Sequence, residues 1–142
     1  MKKLSYLLLF FLAVGCGNSQ NEKNEKFLME INNVTKESCA DGYTYVFSVT
    51  DGVLTITYST PAIKDAKCSA KLNEVKFSWN TLDGDVEKGI DHEVTISCKS
   101  GDGSCFTGNG SCFFQIKSIE IKGEQSAEHL LNNLTHLQAA NK

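Results

Sequence analysis

The sequence predicts an α+β domain, mostly antiparallel β, with one helix at its C-terminal end. Three observations carry this. Tyr43, Tyr45, Phe47 and Val49 alternate with polar residues up to Asp51-Gly52, and Leu54, Ile56 and Tyr58 resume the alternation beyond it. Period-two patterning on both sides of an Asp-Gly pair specifies a hairpin. Further short apolar alternations follow at Leu72–Trp79 and Val94–Cys98, and the period then changes, with Ala127, Leu130, Leu131, Leu134 and Leu137 recurring at helical spacing.

The first fifteen residues stand apart from that domain. Lys2-Lys3 precede an apolar run from Leu4 to Leu12, and Ala13-Val14-Gly15-Cys16 follows. A basic start, a short hydrophobic region and small residues at a cleavage point make a secretory signal over 1–15. The run is shorter than the roughly 20 apolar residues that a spanning helix needs. The Ala13-Val14-Gly15-Cys16 ending resembles the lipobox of bacterial lipoproteins. That resemblance implies cleavage before Cys16, a palmitate-type lipid on Cys16, and a place in the cell envelope. Gly17 in the next position, where aspartate would retain the chain, implies onward transfer to an outer membrane.

Removal of the signal leaves 127 residues, enough for one domain with a single core. Residues 16–26 have no large apolar side chain after Cys16 and are expected to form a lipid anchor and flexible tether. The domain is expected over 27–142. Phe27–Ile31, the first apolar cluster, is expected as a short strand or helical turn docked on it.

Pro61 ends the second strand, since proline cannot continue a ladder. Asp83 to Asp91 is an acidic loop. Cys105-Phe106, the Gly108-Asn109-Gly110 turn and Cys112–Ile121 suggest a second hairpin. Its apolar alternation slips between Phe114/Ile116 and Ile119/Ile121, which predicts a bulge near Lys117-Ser118. Ser126 is placed to cap the terminal helix, and Glu128 suits its positive end. The order of elements from Tyr43 to Asn141 resembles the pleckstrin-homology-like (PH/GRAM) fold. That resemblance implies a bent antiparallel β-barrel closed by one C-terminal helix. A β-sandwich with a terminal helix fits the same pattern.

The charge balance bears on partners. The net charge is −3, and loss of Lys2 and Lys3 makes it −5. All basic residues are lysines. Arginine is the preferred fork for phosphates and base edges, so its absence, with no basic cluster, argues against nucleic acid.

Beyond Cys16, five cysteines remain: Cys39, Cys68, Cys98, Cys105 and Cys112. An exported chain meets an oxidising compartment, so two disulfides and one free thiol are expected. Cys98 and Cys105 flank a glycine-rich turn, and so do Cys105 and Cys112. Connectivity is open from sequence. The preferred pairing is Cys98–Cys105 with Cys39–Cys68, leaving Cys112 as a buried thiol. Zinc is the competing use of His92, Cys98, Cys105 and Cys112. Its geometry is poor, since six extended residues separate His92 from Cys98 by about 20 Å, and no paired-cysteine knuckle is present.

Asp83, Asp85, Glu87, Asp91 and Glu93 begin like a calcium loop, but Lys88 and Val94 occupy the positions of the glycine and the bidentate glutamate, leaving a solvated acidic loop. His129, Asn132, Asn133 and His136 share the polar face of the last helix and are expected to face solvent. No nucleophile elbow, metalloprotease helix, phosphate loop or dinucleotide fingerprint occurs. No catalytic residue, metal ligand or cofactor is therefore assigned. The expected function is that of a non-enzymatic envelope lipoprotein, bound to a membrane by its lipid, whose domain takes a protein or peptide partner. The alternative is an inhibitor of cell-wall hydrolases. Ser38-Cys39-Ala40-Asp41-Gly42 and Ser100-Gly101 faintly resemble the opening and the inhibitory loop of the lysozyme-inhibitor families.

Overall fold

The computed structural model describes residues 16–83, 89–100, 104–109 and 116–142, with the side chains of 16–20 and 116 left out. It is α+β. Helix α1 (Cys16–Ser38) leads into β1 (Thr44–Thr50), β2 (Val53–Ser59), β3 (Ala66–Lys71), β4 (Val75–Thr81), β5 (His92–Cys98), β6 (Thr107–Gly108), β7 (Ile116–Ile121) and helix α2 (Glu124–Ala140). The strands form two antiparallel sheets, ordered β1-β2-β3-β6 and β4-β5-β7.

The Asp51-Gly52 hairpin is present as expected, with Thr50 opposite Val53 and Tyr45 opposite Tyr58. Asp51 and Gly52 both have positive φ (51° and 72°). That is the backbone of a two-residue turn whose twist matches the strands it joins. Gly108 answers a different need. A Cβ there would lie 1.9 Å from the Lys67 carbonyl oxygen, so only glycine lets β6 approach β3.

The expected closed barrel is not found among the described residues: the strands stay in two separate sheets, and α1 lies against an edge of each. Asn32 of α1 clamps β1: its Oδ1 accepts the Phe47 N–H at 2.7 Å and its Nδ2 donates to the Phe47 carbonyl at 3.1 Å. Thr35 Oγ1 donates to the Tyr45 carbonyl. The outer edge of β7 meets the end of α1, where Lys122 N–H donates to the Ser38 carbonyl and Cys39 bridges to Ile121.

Of the second expected hairpin, residues 110–115 lie outside the described residues, and the parts on either side pair elsewhere. Thr107-Gly108 pairs with Cys68-Ser69, and β7 pairs with β5 instead. The pairing of β5 with β7 is continuous from Ile116 to Ile121, so the expected bulge is absent there. Lys117 lies opposite the fully buried Ile96 and takes an inward position itself. The sequence slip is thus an inward lysine and not a change of register.

The expected tether is helix. Residues 16–26 belong to α1, and Phe27–Ile31 is its middle. Ile31 and Val34 are buried, and Phe27 and Leu28 pack against the core. Of the α2 residues expected in solvent, His129, Asn132 and His136 are exposed; α1 reaches the edge of that face, where Phe27 stacks on His136 with ring centroids 5.6 Å apart and Asn24 and Asn141 exchange side-chain hydrogen bonds. Asn133 is buried and donates to the His129 carbonyl. Of the expected apolar stripe, Ala127, Leu130, Leu134 and Leu137 are fully buried and Leu131 is half-buried. The helix begins one turn earlier than expected, after Gly123. Ser126 lies inside it, and its hydroxyl accepts from Ser38 at 3.0 Å.

Candidate functional site

The cysteines settle first. Cys98 and Cys105 are joined, with Cα atoms 5.6 Å apart, as expected. They cannot serve as thiolate ligands, which removes the zinc set. The Cys39–Cys68 pairing is corrected. Cys39 is a free buried thiol, whereas Cys68 is disulfide-bonded. Register explains why: Cys68 lies opposite Ile56 on β3, while Cys39 is held against Ile121 of the other sheet. Burial, with Glu120 adding to it, pushes the Cys39 thiol up to about 12, so it stays protonated and unreactive. Cys112, residues 84–88 of the acidic loop, and Phe113 and Phe114 lie outside the described residues, as does the side chain of Cys16.

Polar groups gather at two inner places. His92 is buried at the start of β5, with Nδ1 2.9 Å from Asp91 Oδ1 and its ring 5.1 Å from that of Trp79. Asp91 Oδ1 also accepts the Gly123 N–H at 2.7 Å, which ties the start of β5 to the start of α2. The His92 contact, then the Gly123 N–H, hold the Asp91 carboxyl below its ordinary range. No serine, threonine or cysteine hydroxyl or thiol is bonded to this pair among the described residues, so it is an anchor for α2 and lacks a nucleophile. At the second place, Lys117 Nζ lies 3.5 Å from the Tyr58 ring centroid and 5.7 Å from that of Tyr45. Desolvation lowers its pKa. The aromatic faces partly replace the water that the inward ammonium gives up.

A cleft of about 360 Å³ runs between α1 and β1, lined by Asn32, Asn33, Lys36, Tyr43 and Val46 among others. Its strand edge is closed to pairing at Tyr45 and Phe47 by the Thr35 and Asn32 side chains.

The opposite situation holds at β4. Glu74 and Leu82, at either end of this strand, bond to β5 through Lys99 N–H to Glu74 O and Leu82 N–H to Asp91 O. With the observed register, the even-numbered positions of β4 therefore face β5, and Val75, Phe77, Trp79 and Thr81 direct N–H and C=O outward. Gln138 Nε2 donates to the Val75 carbonyl. Among the described residues, the outward backbone groups of Phe77, Trp79 and Thr81 have no partner. Phe77 and Trp79 are half-buried, and Lys76, Ser78, Asn80 and Thr81 are exposed.

This edge is a run of unpaired donors and acceptors, with aromatic side chains on one face and polar ones on the other. It is the arrangement that accepts an added strand. Sequence reading found Trp79 and Phe77 as strand residues but not the edge, because which strand is outermost is decided by the pairing of β5 with β7. The chain matches no protein-family model, no curated protein and no solved structure.

Proposed function

We propose that the chain is a non-enzymatic lipoprotein of the cell envelope, anchored through lipid on Cys16, whose domain binds a protein or peptide partner along the β4 edge. The address rests on Lys2-Lys3, the apolar run and Ala13-Val14-Gly15-Cys16, with Gly17 favouring the outer membrane. The Cys98–Cys105 bond suits an oxidising compartment. Two antiparallel sheets and a terminal helix keep the elements of the PH-like plan without its closure, and that plan is often a binding platform, which is support by analogy of fold only.

The observation that carries the binding role is the open edge at Phe77, Trp79 and Thr81. Strand addition supplies affinity through main-chain hydrogen bonds and specificity through alternate side chains. The partner segment would be extended, with apolar residues toward Phe77 and Trp79 and polar ones beside Lys76, Ser78 and Asn80. Selection of displayed peptides on the immobilised mature chain tests this. Binders should share an alternating apolar pattern and lose affinity for Thr81→Pro, which removes an outward N–H. Peptides that bind both forms equally would refute the role of this edge.

A further inference from the structure

We infer that the segment received by the β4 edge is the same strand of a second copy of this chain, so that two domains join antiparallel about a twofold axis at Trp79. The inference rests on the reading of β4 as a strand acceptor and names its occupant.

The register follows from which groups are open. Two antiparallel copies of β4 form hydrogen-bonded pairs only between outward-facing positions. Val75 is the compromised member, since Gln138 already donates to its carbonyl. Pairing that uses all the remaining positions puts Trp79 opposite Trp79 of the second copy and Phe77 opposite Thr81 of the second copy, twice. Ser78 then stands opposite Asn80 of the second copy on the solvent face, and Lys76 meets Leu82. No like charges oppose one another, and this is a condition for a stable pair. The paired stretch ends where the strand itself ends, beyond Thr81, and begins just past the occupied Val75 carbonyl.

The same geometry explains why assembly would stop at two. A twofold contact uses one patch on both partners and closes on itself. The outer edge of β1 is held by Asn32 and Thr35, and β7 is met by Ser38 and Cys39. The twofold contact uses up the β4 edge of both copies, so the product is one six-stranded sheet. A contact this short is weak for free molecules, but anchoring of both copies in one membrane raises their effective concentration.

Trp79 is the sole tryptophan, which gives a direct probe. The detergent-solubilised mature chain should show Trp79 emission that moves to shorter wavelength with concentration, in step with a doubling of mass in sedimentation. Ser78→Cys and Asn80→Cys chains, co-expressed, should give a disulfide-linked dimer on non-reducing gels, and neither variant alone should. Thr81→Pro should weaken dimerisation by about tenfold or more through lost main-chain bonds. Trp79→Lys, which sets two lysines across the axis, should abolish the cross-link of the co-expressed cysteine variants without loss of the circular dichroism of the fold. Overturning results are monomers at every concentration, or Ser78→Cys cross-linking to itself, which would require a different axis. If the chain stays monomeric while selected peptides still discriminate wild type from Thr81→Pro, self-pairing fails and the strand-acceptor reading stands. If neither occurs, both fail.

Discussion

Removing one buried leucine from α2 tests whether this helix holds the sheets together. Leu134 lies mid-stripe with no exposed surface, between the equally buried Leu130 and Leu137. A helix of this length is marginal alone in water, so its stability comes from what it covers, and it packs on β4, β5 and α1. Leu134→Ala removes the core contacts of the side chain and leaves a cavity that neighbours on three elements cannot collapse into. Substitutions of this kind cost about 2–5 kcal/mol. For a urea dependence of about 2 kcal/mol per molar, the unfolding midpoint should fall by about 1–2.5 M. Thr135→Ala is the control. Thr135 is exposed, and its hydroxyl bonds only the Leu131 carbonyl within the helix. Its cost should stay under about 0.5 kcal/mol. Urea melts followed by circular dichroism measure both. Equal midpoints would refute the claim that α2 is part of the core.

Mass spectrometry of the N-terminal peptide should find Cys16 lipidated at the start of the mature chain; an unmodified Cys16 thiol or cleavage elsewhere would sink the anchor. Asn32→Ala should cost about 1–3 kcal/mol, because it leaves the Phe47 N–H and carbonyl half-covered and unpaired, and thermal melts would show it. Cys39 has a folded pKa raised from 9.0 to about 12. A raised acid pKa means stability that is complete below the unfolded value and lost as pH rises between about 9 and about 12, so Cys39→Ala should flatten the alkaline decline of the melting temperature. For Asp91 the sign is opposite, since its folded pKa is lowered. Its contribution is present above the ordinary carboxylate range and lost as pH falls below it, and Asp91→Asn should blunt that acid-side loss.

What was legible in the sequence was local. The hairpin at Asp51-Gly52 followed from turn chemistry, the α2 stripe from its period, and the Cys98–Cys105 bond from two cysteines flanking a tight turn. The helical spacing of Phe27, Ile31 and Val34 was also present, but it was hidden by polar residues on either side and read as a shorter cluster. Tertiary structure decided what depends on distant partners. Whether 16–26 is tether or helix turns on α2 offering residues such as His136 and Asn141 for the helix to pack against. Whether the outer edge of β1 is open turns on Asn32 and Thr35 occupying backbone groups of β1 that are identical in sequence terms to those of any other strand. Lys117 points inward because its register with Ile96 is fixed by neighbours on β5, and the aromatic faces of Tyr45 and Tyr58 make that position tolerable. The open edge at Phe77, Trp79 and Thr81 belongs to the same class. A chain carries the same donors and acceptors at every residue, so only the arrangement of strands determines which of them are left without a partner.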